Sequence, residues 1–405
     1  MAVGLNAPAE LLPVDGLRLG TARAGMRKPD RRDLVVMELA PGAETAAVFT
    51  RNRFCAAPVQ IARTHLAGGA PRYLLINTGN ANAGTGARGL DDALTCCQGL
   101  ATLANCAVTE VLPFSTGVIG EPLAVDRLLA GLPKAMSALA IDGWDDAAEG
   151  ILTTDTVAKA CSRQITLDGH TITLTGMAKG AGMIRPDMAT MLAFIATDAS
   201  IGRPLLQRLL AQAVGQSFNR ITVDGDTSTN DACVLTATGA SHCRLDALHP
   251  EDVASFADTL ADLCRELAQA IVRDGEGATR FITIQVEQAA SADEALAVAY
   301  GIAHSPLVKT AFFAGDPNWG RILAAVGRAG IDDLDVTRVR IWLDTLCLAE
   351  HGGRADGYTE AAAAALMQQP EIAIRVALGR GAVAETVWTC DFSYEYVRIN
   401  AEYRT

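Results

Sequence analysis

Residues 176–198 read GMAKGAGMIRPDMATMLAFIATD, and the interpretation of the rest of the chain is built around this stretch. Its first half is rich in glycine and contains Pro186, whereas its second half, from Met191 onward, is apolar. Glycine adopts backbone conformations that other residues avoid, and proline interrupts regular structure. The pattern therefore predicts a loop that enters a buried strand or helix, with Ala189 and Thr190 at the junction.

Ala189 and Thr190 also form a junction at which the chain can cut itself. Attack of the Thr190 hydroxyl on the carbonyl carbon of Ala189 would form an ester, and hydrolysis of that ester would leave Thr190 as a new terminus. A terminal α-amine has a pKa of about 7.7 to 8.0 and would lie beside the hydroxyl that it must activate. A simple turn before a buried segment is the commoner explanation of such residues, so the stretch alone leaves both interpretations open.

Length and composition narrow the class of protein. A chain of 405 residues suggests two or three domains, or two that pack intimately, and 50% hydrophobic residues supply a large core. The net charge of −12, without a basic run, argues against a nucleic-acid or anionic membrane surface. Neither a signal peptide nor an apolar run of membrane-spanning length is found, so we expect a soluble cytoplasmic protein.

The cysteines and histidines do not follow a disulfide or metal-binding pattern. The ten cysteines are irregularly spaced, so we expect them to be reduced and mostly buried. His242 beside Cys243 is the nearest approach to a ligand pair, and two neighbours supply two ligands at most. We therefore expect no metal site.

The first half of the chain shows both strand and helix patterns. Residues 33–50 (DLVVMELA, PGAE, TAAVFT) suggest a hairpin-rich β start. Further predicted elements are a strand at 72–77, a helix at 90–106, a strand at 109–112, a helix at 144–152 and a hairpin at 164–175. The helix at 90–106 would bury Leu94, Cys97, Leu100, Leu103 and Ala104, and the hairpin would turn at Asp168-Gly169.

Beyond residue 190 helices and strands alternate. Predicted elements are helices at 250–273 and 292–303, and strands at 281–287, 339–343, 372–378, 386–390 and 394–399. This order indicates an α/β layered (α+β) fold.

A GxGxxG pattern at Gly84, Gly86 and Gly89 raises the possibility of dinucleotide binding. In a nucleotide-binding unit such glycines directly follow a strand, whereas here six residues intervene. A tight turn, or a loop that approaches a small substrate, explains them better. Residues 224–231 (DGDTSTND) resemble a calcium loop but carry Leu235 where the bidentate Glu belongs, so we interpret them as a surface turn or a pocket wall.

No GxSxG elbow, phosphate-binding GxxxxGK[ST] loop or HExxH motif occurs in the sequence, which leaves Thr190 as the best candidate nucleophile. Ser115-Thr116-Gly117 follows the predicted strand at 109–112 in what we expect to be a turn. A hydroxyl beside an unobstructed glycine N–H suits an oxyanion hole, although such tripeptides are common in turns.

Taken together, these motifs resemble one family. KGAGMIRPDMATML is similar to the processing and nucleophile motif of the ArgJ-type glutamate N-acetyltransferases, also called ornithine acetyltransferases. Other motifs resemble the same family in the same order: NTGNANAGTGARGLDDA from Asn77, STGVIG from Ser115, ILTTDT from Ile151, TVDGDTSTND from Thr222, DGEGATR from Asp274, DPNWGRI from Asp316 and NAEYRT at the C-terminus. The resemblance spans most of the chain.

The resemblance implies an architecture and a maturation step. The expected fold is DmpA/ArgJ-like, with two intimately packed domains. Cleavage between Ala189 and Thr190 would give an α chain, residues 1–189, and a β chain, residues 190–405, that stay associated as an α2β2 heterotetramer.

The resemblance also implies a reaction. Acetyl would pass from N2-acetyl-L-ornithine to L-glutamate, in the cyclic route of arginine biosynthesis, through an acetyl-Thr190 intermediate. Thr116 and Gly117 would stabilise the oxyanion, and no cofactor is expected. The sequence leaves open whether acetyl-CoA is a second donor. Substrate-binding residues implied by the resemblance are Thr153, Lys179, Thr190, Glu276, Asn400 and Thr405. Lys179 and Glu276 are candidates to meet a substrate carboxylate and the ornithine side-chain amine, in an order left open.

Two other functions remain compatible with the sequence. A self-processed Thr amidase or aminopeptidase would use the same terminal Thr190 and pass the acyl group to water. A non-enzymatic protein that binds an amino acid, or a nucleotide at the Gly84 loop, would remain one uncleaved chain.

Overall fold

The computed structural model describes residues 2–6, 8–27, 30–185 and 191–403, so Ala189, Thr190 and Thr405 lie outside the described residues. The chain divides into two compact units. The larger unit comprises Ala7–Asn219 and Asp226–Ile271, and the smaller unit comprises Met1–Asn6, Arg220–Gly225 and Val272–Thr405. Each unit combines strands and helices, which confirms the prediction of an α/β fold.

The described residues form 15 strands and 11 α-helices. The strands are β1 (Leu17–Ala22), β2 (Leu34–Leu39), β3 (Glu44–Phe49), β4 (Tyr73–Asn80), β5 (Val111–Val118), β6 (Lys159–Leu167), β7 (His170–Lys179), β8 (Leu192–Thr197), β9 (Ala232–Ala237), β10 (Phe281–Ala289), β11 (Arg340–Leu343), β12 (Leu346–Glu350), β13 (Gly353–Arg354), β14 (Glu371–Ala377) and β15 (Val383–Cys390). The helices are α1 (Ala57–Gly68), α2 (Gly86–Ala104), α3 (Val125–Ser137), α4 (Trp144–Gly150), α5 (Arg203–Gln216), α6 (Pro250–Arg273), α7 (Ala292–Ala303), α8 (Pro306–Ala314), α9 (Trp319–Gly327), α10 (Glu360–Leu366) and α11 (Tyr394–Ala401).

The larger unit contains two sheets whose apolar faces share a core. The first sheet has the order β1-β2-β4-β5, with β4 and β5 parallel, and the second has the order β3-β9-β8-β7-β6. Phe114 of β5 meets Phe194 of β8 edge to face, with ring centroids 5.1 Å apart. Because both strands are almost wholly buried, their apolar residues supply side chains to this shared core.

The stretch at 176–198 is flanked by neighbouring strands of the second sheet. β7 and β8 pair antiparallel, with Lys179 opposite Leu192, and β8 pairs in parallel with β9 on its other side. Gly176 of β7 faces α6, where an added Cβ would lie 3.0 Å from the Leu263 side chain. Glycine at this position therefore lets the helix approach the sheet closely.

The smaller unit is built on a six-stranded sheet with the order β13-β12-β11-β14-β10-β15. Only β10 and β14 are parallel neighbours among the pairs described for this sheet. α7 packs on β10 and β15 and also contacts α9. Apolar residues of these helices and of the sheet form a single core cluster, as expected when helices cover one face of a sheet.

Several predicted elements are confirmed. α6 and α7 begin and end where the sequence pattern predicts, and β4, α2, α4, β10, β11, β14 and β15 differ from the predictions only near their ends. The predicted hairpin is formed by β6 and β7, and Asp168 (φ 46°) and Gly169 (φ 77°) make its two-residue turn. All ten cysteines are free and seven are buried, as predicted.

The predicted strand at 394–399 is wrong, because these residues form helix α11. Aromatic and β-branched residues favour a strand here, yet Tyr394 is 83% exposed and Val397 is 66% exposed, so the segment has no buried strand face. Helix capping decides the local structure. The Ser393 side chain accepts a hydrogen bond from the Glu395 N–H, and Arg398 pairs with Glu395 at i,i+3.

Other predictions in the first half need correction. β2 and β3 do not form a hairpin, because they belong to different sheets of the larger unit. The strand predicted at 109–112 runs instead from Val111 to Val118, so Ser115-Thr116-Gly117 lies inside β5 and not in a turn. On α2, Leu94 and Leu103 are exposed, whereas Cys96 and Ala101 are buried. Tertiary contacts, which a local pattern does not contain, explain these differences.

No helix formed by the described residues is long and apolar enough to cross a membrane.

We expect Gly169→Ala to lower the Tm by about 2–4 °C, because an L side chain in the left-handed region costs roughly 1 kcal/mol or more. Gly169 has φ 77°, and an added Cβ meets no atom within 4 Å, so strain alone is tested. Gly215→Ala near the end of α5 is the matched control. It also meets no neighbour, and we expect it to leave the Tm unchanged or slightly raised. Equal effects of the two substitutions, measured by thermal unfolding, would contradict the assigned turn.

Candidate active site

Thr116 and Gly117 lie at the carboxyl end of β5, beside the end of β4. Thr116 is opposite Thr78 and Gly117 is opposite Gly79 in the parallel pairing. Gly117 has φ 132°, and an added Cβ would lie 2.3 Å from the carbonyl carbon of Gly79. The close approach of the two strands therefore requires glycine at position 117.

Buried asparagine side chains hold this end of β5 in place. The Ser115 hydroxyl donates to Oδ1 of Asn77 at 2.6 Å, and Nδ2 of Asn77 donates to the Asn80 carbonyl at 2.9 Å. From residues 224–231, Nδ2 of Asn230 donates to the carbonyls of Ala81 (2.5 Å) and Ser115 (2.9 Å). The backbone on which Thr116 and Gly117 lie is thus fixed by amides from two other segments.

A second set of residues surrounds the buried carboxylate of Asp155. Its Oδ1 accepts hydrogen bonds from Lys159 Nζ at 2.6 Å and from the Gly180 N–H at 2.7 Å, and its Oδ2 accepts one from the Thr153 N–H at 2.9 Å. The side chains of Asp155 and Lys159 are both fully inaccessible to solvent. Thr153 and the end of β7 therefore meet at one carboxylate.

The electrostatics of Asp155 follow from these neighbours. Burial by itself would raise the pKa of the Asp155 carboxyl, but the ammonium groups of Lys159 and Lys179, with the hydrogen bonds from Lys159 and Thr153, outweigh burial. Its pKa is therefore held well below the usual range. Asp155 is therefore a carboxylate at neutral pH.

Asp231, a second buried carboxyl, lies immediately before β9. Burial raises the pKa of Asp231 well above its ordinary value, and hydrogen bonds from Ser228 together with the charge of Lys179 oppose that effect only in part. Among the described residues, no group donates a hydrogen bond to its Oδ2. Asp155 and Asp231, which both interact with Lys179, thus have pKa values shifted in opposite directions.

The pairing across the second sheet relates these residues to the start of β8. Lys179, Leu192 and Ala232 are in register on β7, β8 and β9. The Ala232 N–H also donates to the carbonyl of Met191 at 2.9 Å. Met191 directly follows Thr190 in the chain. It is therefore fixed between β7, which carries Lys179, and β9, which begins directly after Asp231.

In the smaller unit, Glu276 and Asn400 are direct partners. Nδ2 of Asn400 donates to Oε2 of Glu276 at 2.8 Å, and Glu276 is only 6% exposed. The Ser393 hydroxyl donates to the Gly277 carbonyl at 2.6 Å, and a Cβ on Gly277 (φ 70°) would lie 2.5 Å from the Tyr396 nitrogen. The glycine beside Glu276 thus allows the loop to contact α11, and Glu276 is buried in this loop.

The remaining sequence motifs have structural explanations. Gly84, which precedes α2, and Gly86, the first residue of α2, adopt positive φ, and an added Cβ on Gly89 would lie 1.9 Å from the Thr85 hydroxyl. These glycines therefore shape the turn and the start of the helix. Residues 229–231 are buried, which corrects the surface-turn interpretation of residues 224–231. In the ranges that the structure describes, no group of three or more His, Cys, Asp or Glu side chains is arranged to hold a metal ion.

The family resemblance named Thr153 and Lys179, which the structure brings to the same carboxylate. It also named Glu276 and Asn400, which the structure joins by a hydrogen bond. It missed Asp155, Lys159, Asn230 and Asp231. Asp155, Asn230 and Asp231 lie inside quoted motifs, so their positions were visible, but only burial and contacts show what they do.

Comparison with known proteins places the chain in a class and a family. A model of the ArgJ family matches residues 18–405. The arginine biosynthesis bifunctional protein ArgJ of Methylococcus capsulatus is 58% identical over 395 residues, 98% of this chain and 97% of that protein. The protein of the same name from Pseudomonas fluorescens is 54% identical over 406 residues and the full length of both. The chain is therefore an enzyme of the acyltransferase class. It belongs to the ArgJ family.

Solved structures with similar sequences cover about half of the chain. ArgJ from Bacillus halodurans is 40% identical and covers 51% of this chain and 96% of that chain, with a TM-score of 0.48. The ornithine acetyltransferase of Mycobacterium tuberculosis, in complex with ornithine, is 34% identical and covers 46% of this chain and 98% of that chain, with a TM-score of 0.40.

We expect Asp231→Asn to raise the Tm at pH 8 relative to the unsubstituted protein. A carboxyl whose pKa is raised by folding stabilises fully below its unfolded pKa of about 3.9, and this stabilisation is lost as pH rises through the folded pKa. Asn resembles the neutral acid in shape and removes that loss. The measurement is Tm from pH 4 to pH 9, and the gain should shrink toward low pH.

Asp155→Asn provides a comparison of opposite sign. Its pKa is lowered by folding, so its stabilisation is present above the unfolded pKa and is lost only as pH falls through the folded pKa. This variant should be less stable at pH 8.

The outcome that would contradict the Asp231 prediction is a fall in the Tm of Asp231→Asn at pH 8, which would show that the fold needs an ionised Asp231.

Proposed function

We propose that this enzyme transfers the acetyl group of N2-acetyl-L-ornithine to L-glutamate in arginine biosynthesis. The observation that carries the proposal is 58% identity, over 98% of the chain, to a relative whose name assigns it to arginine biosynthesis. The motif that contains Ala189 and Thr190 is intact in this sequence. The ornithine bound in the similar acetyltransferase from Mycobacterium tuberculosis is a product of this reaction.

The nucleophile is Thr190, which becomes available when the chain cuts itself. The Thr190 hydroxyl attacks the carbonyl carbon of Ala189, the peptide C–N bond breaks as an ester forms, and water then hydrolyses the ester. The products are a carboxylate on Ala189 and a free α-amine on Thr190. The new amine is the base that accepts the proton of the neighbouring hydroxyl during acetyl transfer.

The sheet of the larger unit supports stable association after such a cut. Its strands β3, β7 and β6 precede position 189, whereas β9 and β8 follow it. β8 pairs with β7 on one side, and β9 pairs with β3. Separation of the pieces would expose unpaired strand edges and a shared apolar core, so both pieces remain in one folded unit.

Acetyl transfer then proceeds in two half-reactions. Thr190 Oγ attacks the acetyl carbonyl of acetylornithine, and the Thr116 hydroxyl and the Gly117 N–H donate to the oxyanion. The C–N bond breaks, ornithine leaves with the proton, and an acetyl ester remains on Thr190. The amine of glutamate attacks that ester, which releases N-acetylglutamate and restores the hydroxyl. This order gives ping-pong kinetics without a cofactor.

Charged residues select the two amino acid substrates. Both carry an α-carboxylate, for which we assign Lys179, and only acetylornithine carries a side-chain amine, for which we assign Glu276. The hydrogen bond from Asn400 to Glu276 supports a fixed position for that carboxyl. Thr153, Asn400 and Thr405 complete the substrate-binding residues that the family resemblance implies.

Further parts of the proposal concern the second donor and the assembly. The word bifunctional in the names of both relatives supports acetyl-CoA as an additional acetyl donor, which would add N-acetylglutamate synthase activity. An α2β2 heterotetramer and a cytoplasmic location belong to the same proposal.

Mass spectrometry of the denatured protein tests the nucleophile. We expect two species, residues 1–189 and 190–405, in active protein, and a single chain of 42.4 kDa without transferase activity for Thr190→Ala. Thr95→Ala, on the exposed side of α2, is the control and should be cleaved and active. An intact 42.4-kDa chain in active material would rule out a terminal Thr as the nucleophile.

The same protein distinguishes a transferase from an amidase. Acetylornithine alone should give little free acetate, and added glutamate should yield N-acetylglutamate in equal amount to ornithine. Rapid acetate release without glutamate would favour the amidase.

Glu276→Gln tests how the charges are assigned. We expect KM for acetylornithine to rise by roughly tenfold to hundredfold, the effect of losing a hydrogen bond to a charged group, with little change in KM for glutamate. Glu395→Gln on α11 is the control, because Glu395 is exposed and pairs with Arg398 of its own helix. An equal rise in both KM values would place Glu276 elsewhere than at the ornithine amine.

A further inference from the structure

One carboxylate connects the residues to which we assign substrate binding with the start of the stretch that is cut. Asp155 accepts hydrogen bonds from Thr153 N–H and Gly180 N–H, at 2.9 and 2.7 Å, and it also interacts with Lys179. Thr153 and Lys179 come from different segments of the larger unit. Their relative placement therefore depends on a side chain that neither the family resemblance nor the proposed mechanism uses.

The donor set around Asp155 requires a carboxylate. Two backbone N–H groups and the Lys159 ammonium all point at its two oxygens, and the site is closed to water. An amide in the same place would present an NH2 group to at least one of these donors. Because a buried donor without an acceptor is strongly unfavourable, Asn cannot reproduce this arrangement.

The charges of the cluster explain which substrate group it attracts. Lys159 and Lys179 bring two ammonium groups to the cluster, and both interact with the single carboxylate of Asp155. Two cations beside one carboxylate suit the α-carboxylate that acetylornithine and glutamate share.

Gly180 connects the cluster to the processing stretch. It follows Lys179 directly, adopts φ 152°, and an added Cβ would lie 2.9 Å from the Ile184 side chain. Its N–H is fixed by Asp155, so the first residue beyond β7 has a defined direction. Self-cleavage requires a defined approach of a hydroxyl to a carbonyl carbon, and small misplacements slow such steps strongly.

We propose that Asp155 is a positioning residue with two roles, orienting Lys179 and Thr153 toward the α-carboxylate of both substrates and fixing Gly180 so that the chain can cut itself. The inference rests on the proposed function and adds a residue to it. We assign Asp155 no direct part in the chemistry. It acts through the three groups that it holds.

The first test is Asp155→Asn in the full chain. Cleavage, followed by mass spectrometry over time, should slow by roughly tenfold or more. In the fraction that has been cleaved, KM should rise by roughly tenfold for both acetylornithine and glutamate, with a smaller change in kcat. The parallel rise in both KM values separates this role from that of Glu276. Cleavage and KM values equal to those of the unsubstituted protein would overturn the proposal.

Two further variants separate positioning from stability. Asp155→Asn combined with Lys159→Met removes the uncompensated buried ammonium, so the Tm should recover while cleavage stays slow and both KM values stay high. If the cleavage rate and both KM values returned to those of the unsubstituted protein together with the Tm, Asp155 would have only a structural role, and the proposal would be contradicted. Asp198→Asn is the matched control. Asp198 is also buried, accepts the Thr173 N–H at 2.9 Å, and should affect neither cleavage nor KM.

Amide hydrogen exchange at Gly180 gives a readout that does not depend on activity. Exchange should be slow in the unsubstituted protein and at least tenfold faster in the single and double variants at Asp155. If the unsubstituted protein neither cuts itself nor transfers acetyl, the proposed function fails, while exchange at Gly180 still decides the positioning role. Unchanged exchange in both variants would refute it.

Discussion

Burial of the ion pair between Asp155 and Lys159 is the constraint on which the candidate site depends. A carboxylate removed from water is tolerated only where cations and N–H groups surround it, and removal of one partner of such a pair destabilises a protein by about 3–5 kcal/mol. Here the surrounding groups include Thr153, Lys179 and Gly180. The requirement to satisfy one buried charge therefore also arranges the residues to which we assign substrate binding.

Strand pairing provides the second constraint. β8 lies between β7 and β9, so the chain on either side of positions 189 and 190 belongs to the same sheet. Met191 is held by a backbone hydrogen bond from Ala232, next to the buried carboxyl of Asp231. A sheet that continues across the stretch allows a peptide bond to be lost without loss of the fold, because the strands keep their neighbours.

The sequence was informative where a local pattern and the tertiary environment agree. The long amphipathic α6 and the Asp168-Gly169 hairpin were predicted because helical periodicity and turn chemistry act within a few residues. α11 was mistaken for a strand because Tyr394, Tyr396 and Val397 are aromatic or β-branched, although none is buried. β2 and β3 were mistaken for a hairpin because the turn residues PGAE separate two apolar runs, and this local pattern does not reveal which sheet a strand joins.

The sequence by itself determined the α/β class, the family resemblance and the candidate positions Thr116, Thr153, Lys179 and Glu276, since residue types and their spacing carry that information. Only the tertiary structure decided how they are held. The network of Asn77 and Asn230 behind β5, the hydrogen bond between Asn400 and Glu276, and the buried cluster of Asp155 join residues far apart in the chain. Such contacts, and the pKa shifts that burial imposes, arise from folding because they depend on distances that no local pattern encodes.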